Sequence, residues 1–465
     1  MVGVAHASPT GGASGCAGPQ PLGERRPRPH PALYVDPVAD ALPEKRHAEV
    51  LVVGGGAAGL YAGVWAARTG AYTVVLEGSR RAGAKVLIAG GGRCNVTHDV
   101  VRPADYCTSK AKAVVKKTLA RHGVADVVAF FAERGVELKR EDTGKLFPVS
   151  NKARSVLDAM ISALEEAGGR LETRARVTAV TPRTAGGFEV LVSRSAGEEE
   201  AWTADRVVFC PGGKALPASG SDGGGYPIAE SLGHTVTDTW PALVAWTAEP
   251  GHWLQTLPGV ALRAEVRVAN ANGKVLARQV GDTLVTHQGL SGPAPMDLSR
   301  HVEHARRAEP GGRLKVTVGW WPETTFDQAE KRLLEAAAQS PNAGLRSFLK
   351  WTLPVRLAEA LLAGPVGVDP ATELGHLKRE HRRALAHALV ATEVPVNGDR
   401  GFDHAEATAG GVPLDEVDPR TFQSRRTPGL FLAGEVLDVD GRIGGYNFQW
   451  AWASGFLAGT SAAAG

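Results

Sequence analysis

Six residues constrain the chain more than any other stretch of it: Gly54-Gly55-Gly56-Ala57-Ala58-Gly59. They stand between Ala48-Glu49-Val50-Leu51-Val52-Val53, a β-branched run that reads as a buried parallel strand, and a segment from Gly59 to Arg68 that reads as a helix with Leu60, Val64 and Ala67 on one face. Thr73-Val74-Val75-Leu76-Glu77 reads as the next strand and completes a βαβ unit. In that setting G-x-G-x-x-G has a reason at each position. Gly54 permits the tight turn, Gly56 lets the backbone approach a pyrophosphate, and Gly59 lets helix and strand pack closely. Ala57 and Ala58 complete the motif where the helix opens, and the helix N-terminus offers its N–H groups and positive dipole end to the phosphates. Glu77 ends the second strand about 20 residues further on, where a carboxylate accepts from a ribose 2′-hydroxyl and repels a 2′-phosphate. One such fingerprint at the start of the ordered chain, with no second one later, favours FAD held permanently over NAD as a co-substrate.

Composition narrows the class. Glycine makes up 57 of 465 residues, against a usual share of about 7%, and without collagen's period of three the excess means tight turns and close backbone approaches. Lysine plus arginine number 52 and aspartate plus glutamate 49, so the net charge of +3 gives no sign of a nucleic-acid or anionic-membrane partner. The four cysteines, Cys16, Cys94, Cys107 and Cys210, are scattered without a C-x-x-C, which suggests neither a disulfide framework nor a zinc site, and points to a reducing compartment. No apolar run reaches the roughly 18 residues of a membrane-spanning helix. Cys16 is preceded by neither the basic start nor the apolar stretch of a leader peptide. A cytoplasmic protein without a membrane partner is expected.

Residues 1–45 are rich in Gly, Ala, Pro, Ser and Arg and cannot bury enough apolar surface to offset chain entropy, so a disordered tail is expected there. Helical periodicity recurs over 113–122, 124–134 and 153–167, and strands at 176–180, 188–192 and 206–210 return the chain to a sheet. From about 236, alternating segments such as Ala264-Glu265-Val266-Arg267-Val268 and Leu314-Lys315-Val316-Thr317-Val318 predict a separate antiparallel β unit, with helices following over about 324–391. Gly429 to Glu435 reads as a strand ending in an acidic turn, and Phe448 to Gly459 as a last helix.

Three further blocks bring a family into view. They are Ala89-Gly90-Gly91-Gly92-Arg93-Cys94-Asn95-Val96-Thr97, Thr286-His287-Gln288-Gly289-Leu290-Ser291-Gly292-Pro293, and the long run from Gly434-Glu435 through Gly441-Arg442-Ile443-Gly444-Gly445-Tyr446-Asn447 to Ala451. Taken in order with the fingerprint, they resemble the bacterial and archaeal flavoproteins of the HI0933-like family, known as NAD(P)/FAD-dependent oxidoreductases or as the aminoacetone oxidase family. The resemblance spans about 48–462. It implies an α/β fold in which a Rossmann-like two-part FAD-binding domain, 46–235 and 408–465, carries an inserted antiparallel β-barrel-like domain, 236–322 with a return at 393–407, and a helical insert over 323–392.

Carried onto this chain, the resemblance implies that Gly54, Gly56 and Gly59 contact the pyrophosphate, Glu77 the adenosine ribose and Val177, through its backbone, the adenine. Glu435, after Gly434, stands where such folds hold the ribityl or phosphate region. Gly445, Tyr446 and Asn447 pass beside the isoalloxazine ring, with the following helix N-terminus directed at its N1–C2=O edge, where a positive dipole stabilises the anionic reduced flavin. Lys85, Gly92, Gly212 and Gly213 belong with the loops along the cofactor. Two departures stand out. Where relatives have Ala-Thr-Gly-Gly this chain has Cys210-Pro211-Gly212-Gly213, which removes a threonine hydroxyl and keeps the glycine turn, and His98 replaces the usual Asn that closes the Arg-Cys-Asn block.

For the chemistry itself the residues leave alternatives open. Arg93 and Asn95 hold either a substrate carboxylate or the flavin's polar edge, of which the flavin is favoured. His287 is either a general base, histidine being the side chain that titrates near neutrality, or a turn residue bonded to backbone. Tyr446 is either a proton donor or packing. Cys94 invites a redox role, but without a partner cysteine it reads as a small buried side chain. No metal is expected. The implied activity is that of an FAD-dependent oxidoreductase acting on a small molecule. Either NAD(P)H reduces the flavin, which then reduces an unsaturated or carbonyl substrate, or a small amine or aminoketone is oxidised with oxygen as acceptor. A flavin-binding sensor without turnover is the reading from another class. Neither substrate nor oligomeric state is legible.

Overall fold

The computed structural model describes residues 46–194, 197–308 and 312–464; the tail expected to be disordered, 1–45, lies outside the described residues. Strand β1 (Arg46–Val53) is buried from Val50 onward, and β2 (Thr73–Leu76) is buried at every position, the unbroken apolar run that a strand covered on both faces requires. Helix α1 (Ala57–Ala67) joins them and α2 (Ala84–Gly92) follows, broken near its end by Gly90 and Gly91 in left-handed conformation. Strand β3 (Glu199–Phe209) lies parallel to β1 on its other side, with Phe209 opposite Val53. The sequence predicts only the apolar end of β3. Its polar first half is the part that pairs antiparallel with Phe188–Arg194, whereas Val207 to Phe209 pair parallel with Leu430–Leu432. The result is a seven-stranded Rossmann-type sheet with Arg170–Glu172 at one edge and Ala175–Pro182 at the other.

A second hydrophobic core begins at Trp246 and ends at Val394. Its sheet is antiparallel, with seven strands in the spatial order 392–394, 314–319, 261–270, 275–285, 289–291, 246–248 and 396–399. The two outermost strands are consecutive in the chain, separated by Pro395 alone, so the sheet curls until both edges reach one stretch of backbone. Proline suits that junction because it has no ladder N–H to lose. Leu333, Leu357, Leu385 and Leu389, from the helices Phe326–Gln339, Val355–Leu361 and Arg379–Ala391, are buried in the same core.

Two helices position the site. Helix α3 (Pro293–Ala308) starts in the second sheet, and its Arg300 meets Asp440 at 2.8 Å with both side chains buried. Asp297, one turn earlier, accepts from the N–H of Ile443 at 2.6 Å and from Arg442 Nε at 3.2 Å, which fixes the backbone of 440–443. Helix α4 (Tyr446–Ala463) starts directly after that loop and packs on α1 through two glycines a turn apart. A Cβ at Gly455 would lie 2.6 Å from the Ala58 carbonyl oxygen and one at Gly459 would lie 2.2 Å from that of Ala62, so the helix backbones touch.

Candidate functional site

One cavity of about 630 Å³ runs along the carboxyl ends of β1, β2 and β3, the usual crevice of such a sheet and a volume within the roughly 300–1,000 Å³ of ligand pockets. Gly54, Gly56, Ala57 and Ala58 line it. Gly54 has φ +98°, and a Cβ there would stand 2.3 Å from the Cys210 carbonyl oxygen. Gly59 is outside the lining; a Cβ on it would stand 1.8 Å from the Gly54 carbonyl oxygen, so its place is the contact between helix and turn. Gly56 differs from both, because a Cβ there meets nothing within 4 Å. Protein packing does not require a glycine at 56; a ligand lying against the backbone does. The helix that follows has no side-chain cap, and its first intrahelical bond is Leu60 N–H to the Gly56 carbonyl, which leaves the N–H groups of Ala57 and Ala58 for an anion.

Along the cavity, Glu77 accepts from the N–H of Gly55 at 2.9 Å and of Ser79 at 2.6 Å. Val177 lines the wall from the edge strand, beside a β-bulge. Lys85 reaches Glu435 at 2.6 Å and Ser221 Oγ at 3.0 Å, and Glu435 also accepts from the N–H of Thr408 at 2.8 Å. Gly212 and Gly434 line the cavity, while Gly213 is turned against Thr408 instead. That threonine hydroxyl accepts from the N–H groups of Lys214 and Ala215, a hold on the 210–215 loop supplied from a different part of the chain than the threonine missing at Pro211.

The far end lies where Gly444 and Gly445 press against Thr97, His98 and Lys145. Gly445 and Asn447 line it, and the Asn447 amide is spent holding the loop, accepting from the Gly441 N–H and donating to its carbonyl. Arg93 lines it while paired with Glu141 at 2.6 Å and stacked over Phe147. Asn95 also lines it; the residue is 8% exposed, and its Oδ1 is buried with no hydrogen-bond partner. Leu243, Asp403, His404, Glu406 and Ala407 also line it, Leu243 and Ala407 from a small buried cluster with Ala242 and Ala409. There Glu406 opens onto the cavity, the residue exposed to the cavity space while protein surrounds its carboxyl. The enclosure raises its carboxyl above the usual range, opposed by Lys145 and reinforced by Asp297.

Gly92, Tyr446 and His287 fall outside the lining. Tyr446 is buried, stacked on His98 at 4.9 Å, and burial pushes its hydroxyl up to about 12. His287 sits exposed on the turn between strands of the second sheet, so the structure does not bring the suggested base to the cavity. Cys94 is fully buried and its thiol is pushed up to about 12, which leaves no thiolate for redox work. Sequence reasoning missed Lys145, Asp297 and Glu406. Only Glu406 carries a local signal, a single carboxylate among small residues, Ala405-Glu406-Ala407-Thr408-Ala409-Gly410-Gly411. Among the described residues, no group of three or more His, Cys, Asp or Glu side chains is placed to hold a metal, and no helix is long and apolar enough to cross a membrane.

The residues fit FAD. The backbone cradle at Gly56, the uncapped start of α1 and the orphaned Asn95 Oδ1 each lack a partner that a dinucleotide bearing a ring with polar edges supplies. Residues 48–461 match the HI0933-like protein Rossmann domain, and the chain belongs to that family of FAD-dependent oxidoreductases. A 3-dehydro-bile acid delta(4,6)-reductase of Clostridium scindens is 36% identical over 417 residues, covering 89% of this chain and 98% of the relative. Ribosomal RNA dihydrouridine synthases of Escherichia coli and Haemophilus influenzae are 32% and 30% identical, covering 87% and 90% of this chain and 96% and 98% of theirs.

Proposed function

We propose that this enzyme saturates a ring carbon–carbon double bond conjugated to a carbonyl, and that NAD(P)H restores the reduced flavin. The relatives' names agree in chemistry though not in substrate, since a 3-keto diene and a uracil ring both offer a C=C bond activated by a carbonyl. The observation that carries the reading is the lining of the cavity. One lining takes in the phosphate-binding turn at Gly54 to Ala58, the loop at Gly444 and Gly445, the cation Lys145 beside Gly444, and the acid Glu406. FAD, when bound, supplies the hydride chemistry.

The chain's own residues then bind, orient and exclude water. The α1 N-terminus and the Gly56 backbone hold the pyrophosphate, and Glu77 the ribose. Asn95 Oδ1 accepts from the polar edge of the ring, and the N-terminus of α4 favours negative charge there. Segment 403–407 and the curled sheet behind it, taken as a barrel-like unit, close the ring end against solvent.

Anaerobic mixing of the purified yellow protein with NADH, NADPH and a panel of primary amines, followed by flavin absorbance, tests this. Bleaching by a nicotinamide, and recolouring on addition of a 4-en-3-one steroid or a uridine-containing RNA fragment, is expected. Bleaching by amines alone would establish the oxidase reading instead.

A further inference from the structure

Five cations line the cavity, Lys85, Arg93, Lys145, Arg176 and Arg442, and four of them are spoken for: Lys85 by Glu435 at 2.6 Å, Arg93 by Glu141 at 2.6 Å, Arg176 by Asp222 at 2.8 Å and Arg442 by Asp297 at 3.2 Å. Lys145 has no hydrogen bond or ion pair at its ammonium among the described residues. Its backbone is fixed by pairing with His98, and its stem passes Gly444, where a Cβ would lie 3.4 Å from Lys145 Cε. Glu406, on the same cavity, is anchored by its own N–H to the Leu243 carbonyl at 3.2 Å and flanked by buried Ala405 and Ala407, and its carboxyl likewise has no partner among the described residues. The two are in electrostatic reach of each other without forming an ion pair. An unpaired ammonium and an unpaired carboxyl on one cavity, within electrostatic reach of each other but not bonded, leave room for a polar group between them.

Resting on the function proposed above, we infer that Lys145 holds the carbonyl oxygen of the substrate and that Glu406 is the acid that delivers a proton to the carbon α to that carbonyl. The step balances as follows. FAD, when bound and reduced, would supply hydride to the β-carbon; the C=C pair would then move through the conjugated system onto oxygen, where the Lys145 ammonium would meet the oxyanion. The α-carbon then takes the proton from Glu406. In all, two C–H bonds form, one from the hydride and one from the Glu406 proton; the C=C π bond, the donor's hydride bond and the carboxyl O–H break, the carbonyl returns, and the carboxylate is reprotonated from solvent. The charges that act on Glu406 are Lys145 from the strand Lys145–Pro148 and Asp297 from α3, and Asp403, His404 and Arg442 line the same cavity. A carboxyl raised by enclosure keeps its proton to higher pH than usual, so the acid is present below that raised value and lost as pH climbs through it.

The same pair run backwards makes an enolate without any redox change, which gives a readout separate from turnover. Holoenzyme with oxidised flavin, incubated with the saturated ketone in D2O, is expected to exchange the α-hydrogen and no other, as seen by NMR. Glu406→Gln should slow both exchange and enone reduction about 100-fold or more, as removal of a general acid does, and remove the alkaline fall of the rate, while Glu406→Asp restores part of each. Lys145→Met should weaken binding of 4-nitrophenolate, a planar oxyanion probe, by tenfold or more, with FAD content unchanged and Lys145→Arg retaining binding. No α-exchange by the wild-type protein, or unchanged exchange in Glu406→Gln, overturns the assignment even if enones still recolour the flavin. Failure of every enone to recolour it would instead overturn the function on which the assignment rests.

Discussion

Gly56 and Gly59 are three residues apart and carry the same side chain, yet their surroundings assign them opposite duties. An added methyl at Gly59 would collide with the Gly54 carbonyl oxygen at 1.8 Å, and one at Gly56 would stand in open space at φ −80° and ψ −169°, backbone any residue adopts. Gly56→Ala should therefore change stability by no more than about 0.5 kcal/mol while weakening FAD binding tenfold or more, measured by thermal melts of the apoprotein and by FAD titration. Gly59→Ala should cost at least the roughly 1–3 kcal/mol of overpacking. Equal effects from the two would mean that 56 is a folding glycine. These positions were legible in the sequence because a backbone constraint repeats at fixed spacing. Glu406 was not, since what makes it special is its place on the cavity and the charges of Lys145 and Asp297 acting on it, residues far from it along the chain. His287 drew attention as a histidine beside glycines, but that pattern describes an exposed turn equally well.

At the scale of elements, periodicity located the strands and helices whose apolar face is continuous, and lost those stabilised from elsewhere. The first half of β3 is the clearest loss: the strand predicted at 206–210 begins at Glu199, where Glu199 and Glu200 become strand by pairing with Ser193 and Val192. The contact of α1 with α4 was equally hidden. Gly455 and Gly459 look like weak points within a helix, whereas their lack of side chains is what lets the two helices meet, with the α4 N-terminus beside the cavity at Gly444 and Gly445. Gly459→Leu should separate them. The expected result is a loss of about 1–3 kcal/mol or more from overpacking, read as a lower denaturation midpoint, together with reduced FAD retention. A variant that keeps both would show that the close approach is dispensable.

Across the whole molecule, buried charges from α3, which packs in the second core, tie that core to the loop that lines the cavity. Arg300 and Asp440 are both buried at 2.8 Å, and Arg300 also donates to the Asp440 carbonyl. Removing one partner strands the other, so Arg300→Met should destabilise by about 3–5 kcal/mol, with much of the loss recovered when Asp440 is replaced by Leu in the same chain. Additive losses in the double variant, measured by chemical denaturation, would show the pair to be uncoupled. No spacing in the sequence joins position 300 to 440; the tie exists only once both cores have formed. The most direct test of what the assembled cavity does is a single turnover under anaerobic conditions, with the flavin first reduced by NADPH. Addition of one equivalent of a 4-en-3-one steroid or a uridine substrate is predicted to restore the oxidised flavin spectrum and yield one equivalent of the saturated product. A flavin that stays bleached with every conjugated carbonyl compound, yet recolours on admission of oxygen, would contradict it.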